Sequence, residues 1–181
     1  MLGTPIIAAA STSSTTISSS IGSVISLLST SGTVNVNVTP TGSGAQTIAS
    51  DTVTVSTNDA AGYTLQLGET TATTALTSGG NTIPASTATQ TTPAAMSVNN
   101  WGYRVDGVGG FGATTTTPQS SAAIGAIKFA GVPASGSPNT LKTTSSSASS
   151  DTTTVWYGVA ANTSQASGTY TNSVTYTVTA N

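Results

Sequence analysis

The sequence has no cysteine and no histidine, and only 4% of its 181 residues are charged. Three Lys and Arg residues stand against five Asp and Glu residues, so the net charge is −2. So few cations cannot neutralise a phosphate backbone, which argues against nucleic-acid binding. Without His or Cys, the chain lacks the commonest general base, the thiolate nucleophile and the usual zinc ligands. We therefore predict a non-enzymatic protein without a cofactor or a metal.

Hydroxyl groups take the place of the missing charges, because Ser and Thr together supply about 37% of the residues. A typical intracellular domain carries about 25% charged residues, whereas exported proteins rely on hydroxyls and amides more often. The apolar run at residues 6–10, followed by Ser11, is similar to the end of a signal peptide. No apolar run is long enough to span a bilayer. These features predict an extracellular, cell-surface protein without a membrane span.

Alternating Thr and Val residues indicate β-strands. In residues 33–39, three Val residues point to one side and Asn or Thr to the other, which is typical of a half-buried strand. Residues 51–57 and 63–67 repeat the pattern around a short turn, which predicts a β-hairpin. Further strands are predicted at residues 100–106, 126–130, 153–160 and 169–179. About seven short strands and hardly any helix-favouring stretch predict an all-β fold, an antiparallel β-sandwich of the immunoglobulin-like kind.

The predicted sandwich domain covers residues 21–181, and residues 1–20 form a leader or N-terminal arm. Apolar residues from Ile17 to Leu28 fit one face of a helix, but nearly all intervening residues are Ser, which favours an extended segment. Residues 24–28 would then be a first strand, and the arm could pair with a sheet edge of the next subunit. An untethered tail is the alternative. The long linkers are predicted to combine short edge strands with surface loops, at residues 69–98, 107–125 and 132–152.

Two short segments resemble the motifs of the WxL cell-wall-binding domain of Gram-positive surface proteins. Residues 62–65 are similar to the first motif, G-W-T-L, and residues 170–178 to the second, Y-x-x-x-L-T-W-x-L. Tyr replaces both Trp residues of the motifs, and Val replaces the final Leu. The resemblance implies a WxL-like sandwich that binds cell-wall glycan. Its matched positions are Tyr63, Leu65, Tyr170, Tyr176 and Val178.

The chain also resembles a group of Ser/Thr-rich exported proteins from ultra-small, host-attached bacteria. The segments that carry this resemblance are residues 99–107, Asn-Asn-Trp-Gly-Tyr-Arg-Val-Asp-Gly, and residues 155–159, Val-Trp-Tyr-Gly-Val. Because no activity is established for that group, the resemblance implies a location on the cell surface and nothing more specific.

Four aromatic residues are candidate contacts to a glycan or to another subunit: Trp101, Tyr103, Trp156 and Tyr157. Aromatic rings on a sheet can stack on sugars, but a chain with so few large apolar residues also needs them in its core. We therefore expect at least one of the two Trp residues to be buried. The five carboxylates are scattered, and four lie in or beside turn-like sequence, which favours structural roles over catalysis.

Two functions remain open from the sequence. The first is a structural subunit that self-assembles into a surface fibre, pilus-like filament or coat through its strand edges and its N-terminal arm. Low net charge supports this function, because it leaves little repulsion between copies. The second is a monomeric, WxL-like adhesion module that binds cell-wall glycan.

Overall fold

The computed structural model describes residues 14–113 and 115–181, and this part of the chain is all-β. The predicted antiparallel β-sandwich is confirmed. The first thirteen positions of the predicted leader lie outside the described residues. The described strands are β1 (Ile25–Ser29), β2 (Ala45–Thr57), β3 (Tyr63–Glu69), β4 (Leu76–Ser78), β5 (Asn81–Ile83), β6 (Ala94–Ala95), β7 (Asn100–Arg104), β8 (Gln119–Ala123), β9 (Lys128–Phe129), β10 (Asn139–Thr143), β11 (Ala148–Ala161) and β12 (Val174–Ala180).

Two antiparallel sheets form the sandwich. The larger sheet has the order β1-β2-β11-β7, and β8 also pairs with β2. The smaller sheet has the order β10-β3-β12. The longest ladder of the sandwich joins β2 and β11 in the larger sheet. It runs from Ala45 opposite Ala161 to Thr57 opposite Ala148. Two further two-stranded sheets, β4-β5 and β6-β9, complete the described strands.

The predicted hairpin of residues 51–57 and 63–67 is wrong. These residues belong to β2 and β3, which lie in different sheets, so the intervening turn crosses the sandwich instead of closing a hairpin. The alternation itself is correct, because both strands bury their odd-numbered side chains in the core. A pattern of period two tells which side of a strand is buried, but not which strand lies beside it.

The main core fills the space between the two sheets. Alternate residues of β2, β3, β7 and β11 supply it, and many are fully buried. A smaller cluster covers the outer face of the larger sheet, where Ile48 and Ala160 meet Met96 and Phe129. Gly158 lies under this cluster, and a Cβ atom there would come within 2.8 Å of the Phe129 ring. The glycine therefore allows β9 to pack directly on β11.

Residues 33–39 are extended but form no strand, so this prediction is wrong. Their three Val side chains are half-buried against the core, as the alternation indicates. Within the described residues, however, no backbone-to-backbone hydrogen bond joins the segment to a neighbour. Two side chains hold it instead: Thr47 Oγ1 donates to the carbonyl oxygen of Asn37 at 2.7 Å, and Ser121 Oγ accepts from Thr39 N at 2.7 Å. Burial of alternate residues thus occurs here without strand pairing.

The other predicted strands are present with different ends. The first strand is β1, and the predictions at 100–106 and 153–160 correspond to β7 and β11. Of the strand predicted at 126–130, only the two residues of β9 are in a strand. The last strand, predicted from residue 169, starts at Val174. The linkers contain short strands, as predicted: β4, β5 and β6 in the first, β8 in the second, and β10 in the third.

Candidate assembly surface

The segment before β1, residues 14–24, is exposed and has no regular secondary structure. It joins the described part of the predicted arm, residues 14–20, to the first four residues of the predicted domain, and we call this whole segment the arm. Its three large apolar side chains are uncovered: Ile17 is 92% exposed, Ile21 87% and Val24 66%. Covering an aliphatic side chain of this size contributes about 1.5–3 kcal/mol. Single exposed apolar residues are ordinary on a monomer, but three on one short segment mark a surface that gains free energy by contact.

The turn between β2 and β3 fixes the point at which the arm leaves the domain. Val24 N donates to Asn58 Oδ1 at 2.7 Å, and Asn58 Nδ2 donates to the Gly22 carbonyl at 2.9 Å. Ser23 Oγ donates to Asp59 Oδ2 at 3.0 Å. The described residues before Gly22 have no hydrogen bond to the domain. The arm is therefore anchored beside β1 and unsupported beyond that glycine.

β12 is an edge strand without protection. It pairs with β3 in an unbroken register, and its other side has no partner strand among the described residues. Its sequence contains no charge, no proline and no bulge, which are the features by which edge strands avoid pairing. The inward side chains stay half-buried, at Val174, Tyr176 and Val178. An added strand would therefore continue the ladder and cover apolar surface.

The edges on the opposite side of the sandwich are covered or irregular. Tyr103 and Ala130 exchange two backbone hydrogen bonds along the outer edge of β7, and Trp101 N donates to the Pro84 carbonyl at 3.1 Å. The edge strand β10 carries the charge of Lys142 and a register irregularity beside it. Charge and irregularity both discourage the addition of a strand.

β1 and β12, the edge strands of the two sheets, lie next to each other on one lateral side of the sandwich. Buried polar groups lie between the sheets at this place. Asp51, only 3% exposed, accepts hydrogen bonds from Ser29 Oγ at 2.6 Å, from Thr30 Oγ1 at 3.1 Å and from Ser31 N at 3.0 Å. These bonds tie the end of β1 to β2. Asp51 is thus a structural acceptor within a strand, not the turn residue that the sequence indicates for most of the carboxylates.

A tyrosine pair joins the two sheets near this point. The hydroxyls of Tyr157 on β11 and Tyr176 on β12 lie 2.7 Å apart. Burial raises the pKa of both groups well above their ordinary value, and for Tyr176 the nearby carboxylate of Asp51 adds to the effect. Both hydroxyls are therefore neutral at physiological pH, and the pair holds the edge strand against the larger sheet.

Glu69 is the most unusual titratable group. It ends β3, opposite Val174 of β12, and it is 2% exposed. Neither carboxyl oxygen has a hydrogen-bond partner among the described residues. Burial raises its pKa to about 8, so the group is protonated at neutral pH. Ionisation would place an unpaired charge in the interior, which is energetically costly.

The predicted aromatic contacts divide between the two faces of the larger sheet. Trp101, Tyr103 and Tyr157 are buried in the core, where their rings cannot stack on a ligand. Trp156 points to the other face, where it is half-buried against the smaller cluster. The expected burial of at least one Trp is confirmed for Trp101, and Trp156 is the candidate that keeps exposed surface.

The two WxL-like segments lie side by side, because β3 and β12 are partners in the smaller sheet. Val178 pairs with Leu65, and Tyr176 with Leu67. Tyr63 and Leu65 are fully buried, whereas the other three matched positions are half-buried against the core. The side chains of these segments thus hold the smaller sheet together, and β12 presents the open edge.

Tyr63 takes part in a polar cluster that links β3, β10 and β11. Its hydroxyl donates to Asp151 Oδ2 at 2.7 Å, and Lys142 Nζ donates to Asp151 Oδ1 at 2.5 Å. Burial opposes ionisation of Asp151, but the hydrogen bonds from Lys142 and Tyr63 and the charge of Lys142 outweigh it and lower its pKa. The carboxylate is therefore an ionised structural partner.

Arg104 organises the loop that follows β7. Its side chain is buried, and its Nε donates to Asp106 Oδ1 at 2.5 Å and to Thr116 Oγ1 at 2.7 Å. Its Nη1 donates to the Phe111 carbonyl at 2.8 Å. Burial opposes ionisation of Asp106, but hydrogen bonds from Thr116 and Arg104 outweigh it and lower its pKa. This network folds the glycine-rich loop against the sheet.

A shallow groove of about 450 Å³ opens beside the start of β11. Its lining includes Trp156, Asp106 and Lys142, together with several threonines. An aromatic plane with nearby charged and hydroxyl groups is the chemistry that recognises sugars. Both charged groups already have partners in the protein, so the groove is a weaker candidate site than the arm and the open edge.

Searches against protein-family models, curated proteins and solved structures find no match for the chain. No helix in residues 14–113 and 115–181 is long and apolar enough to cross a membrane. The same residues contain no cluster of three potential metal-ligating His, Cys, Asp or Glu side chains.

The sequence missed the residues that anchor the arm. Asn58 and Asp59 follow a strand and precede a glycine, so they were expected only to form a turn. Asp59 does so, because its Oδ1 accepts from Ala61 N at 2.9 Å. Their second role depends on a contact more than thirty positions away along the chain, and no local pattern marks it.

Proposed function

We propose that this protein is a non-enzymatic, extracellular structural subunit that assembles with copies of itself into a surface fibre, pilus-like filament or coat. The observation that carries the proposal is the combination of an exposed apolar arm with an unprotected edge strand in one chain. Each feature gains free energy by covering the other's exposed groups. A monomer that remained alone would leave both uncovered.

The distribution of charge supports assembly. The arm residues 14–24 and the edge strands β1 and β12 contain no Lys, Arg, Asp or Glu. Copies that approach through these surfaces therefore meet no like-charge repulsion. The carboxylates support a non-enzymatic role, since Asp51, Asp106 and Asp151 are held by structural partners and Asp59 closes a turn.

The second candidate function is a glycan-binding adhesion module that acts as a monomer. The groove beside Trp156 favours it, because this groove combines an aromatic plane with polar groups. The buried positions of Trp101, Tyr103 and Tyr157 count against a larger aromatic platform. A single half-buried ring supplies limited stacking area, so we place this function second.

Assembly state distinguishes the two functions. Sedimentation velocity and negative-stain microscopy of the full chain should show polymers that disappear in the double variant Ile17→Ser/Ile21→Ser. The variant should unfold at the same denaturant concentration as the parent, because both side chains are almost fully exposed in the single copy. The double variant Ser18→Ala/Ser20→Ala is the matched control and should still assemble.

A monomeric parent chain that pellets with cell-wall sacculi would contradict the proposal and favour the adhesion module. In that case Trp156→Ala should abolish pelleting. Assembly that continues unchanged after Ile17→Ser/Ile21→Ser would also count against the proposal, because the arm would then have no role in the contact between copies.

A further inference from the structure

We propose that the arm of one copy docks as an additional strand along the free edge of β12 in the next copy. This inference depends on the proposed self-assembly and identifies its donor and acceptor. The arm supplies the almost fully exposed side chains of Ile17 and Ile21, and β12 supplies a backbone edge that no other described strand pairs with, above half-buried core residues. The contact is head-to-tail, so each copy is both donor and acceptor.

The arm is long enough to cover the acceptor. Its described residues 14–21 alone number eight, and β12 has seven. In an extended arm Ile17, Ser19 and Ile21 share one face, because strand side chains alternate. This face would lie beside Val174, Tyr176 and Val178, and aromatic and β-branched cross-strand pairs of this kind contribute about 0.2–1 kcal/mol each.

The other edges fit the arm less well. Flanking backbone covers β7, and Lys142 and a register irregularity interrupt β10. β1 offers only five residues. Among the long edges of the two main sheets, β12 alone combines an unbroken register with an uncharged sequence in the described part of the chain.

The absence of cysteine allows a direct test by disulfide mapping in the full chain. The double variant Ser18→Cys/Thr177→Cys places one thiol on the outward face of the arm and one on the outward face of β12. Oxidation, or a short bis-maleimide linker that tolerates a change of register, should convert assembled protein into a ladder of covalent multimers. The control variant Ser18→Cys/Thr140→Cys, with its acceptor thiol on β10, should give no ladder.

Each outcome has a defined meaning. A ladder for Thr177 and none for Thr140 supports the inference. A fast-migrating monomer with an internal disulfide would place the arm on its own β12 and overturn it. Polymers that cross-link only through Thr140, or only through Ser26→Cys on β1, would overturn the inference and leave the proposed self-assembly standing. If sedimentation showed no polymers, both the docking of the arm on β12 and the proposed self-assembly would be contradicted.

Discussion

The two lateral sides of the sandwich differ in how far their edge strands are protected from pairing with another strand. On the side of β7 and β10, flanking segments satisfy backbone groups, and Asn139 Nδ2 donates to the Tyr103 hydroxyl at 2.8 Å between the sheets. All three cations of the chain lie on this side, at Arg104, Lys128 and Lys142. On the side of β1 and β12, the strands carry no charge, and no other described strand pairs with their outer edges, which we call bare.

This difference indicates which edges of the sandwich are protected from pairing with another copy. A protein with so little charge cannot stay apart from its copies by net repulsion, so each edge must be protected locally. One side has that protection and the other lacks it. We infer that the bare side is the assembly side, and the predictions below test this contrast from the largest expected effect on stability to the smallest.

The covered side should be the more sensitive to substitution. Arg104→Lys keeps the charge but removes the planar donor fork that serves Asp106, Thr116 and the Phe111 carbonyl. We expect the free energy of unfolding to fall by about 3 kcal/mol or more, because buried acceptors lose their donors. Chemical denaturation measures this change.

Lys128→Arg is the matched control for Arg104→Lys, because Lys128 is an exposed cation on the same side of the sandwich. This variant should change the stability by less than about 0.5 kcal/mol. Equal effects of the two substitutions would show that Arg104 does not hold the covered edge.

The end of β3, the central strand of the smaller sheet, contains the pH-dependent group. The Glu69 carboxyl has an ordinary pKa of 4.5 and a pKa of about 8 in the folded protein. Between these values the unfolded chain loses a proton that the folded chain keeps, so stability is full below about pH 4.5 and falls as the pH rises to 8. At about 1.36 kcal/mol for each unit between the two pKa values, we expect a loss of about 3–5 kcal/mol over this range.

Glu69→Gln should remove this loss, and denaturation measured between pH 5 and 8 provides the test. Gln66→Glu is a suitable control, since it places a carboxyl on the outward face of the same strand. It should add little dependence on pH in this range. A parent protein whose stability is constant between pH 5 and 8 would show that Glu69 ionises freely.

The sequence predicts which segments are β-structure and which of their faces is buried, but it does not predict which strands pair. The alternation of Thr and Val is a local property, so it correctly predicts an all-β fold and the buried odd-numbered positions of residues 51–57 and 63–67. It cannot tell that β2 and β3 lie in opposite sheets, because sheet membership depends on distant partners. The same reason explains the error at residues 33–39, which bury Val residues without pairing.

The candidate site is only partly predictable for the same physical reason. An extended arm of Ser and isolated Ile residues is visible in the sequence, and the absence of charge from residues 174–180 can be read directly. The protection of β7 by Pro84 and Ala130, and the burial of Glu69 without a partner, depend on tertiary contacts. The arm is therefore predictable as a donor, but the choice of β12 as acceptor requires the three-dimensional structure.

The smallest expected effect on stability should accompany the largest effect on assembly. Thr177→Lys puts a charge on the exposed face of β12, where the side chain contacts solvent, so the free energy of unfolding should change by less than about 0.5 kcal/mol. Assembly should weaken strongly, because a lysine on an edge strand discourages the addition of a further strand. Thr140→Lys makes the same change on β10 and should assemble like the parent in sedimentation velocity. If both variants assembled equally well, β12 would be no more important for the contact between copies than β10. The difference between a protected and a bare edge would then have no role in assembly.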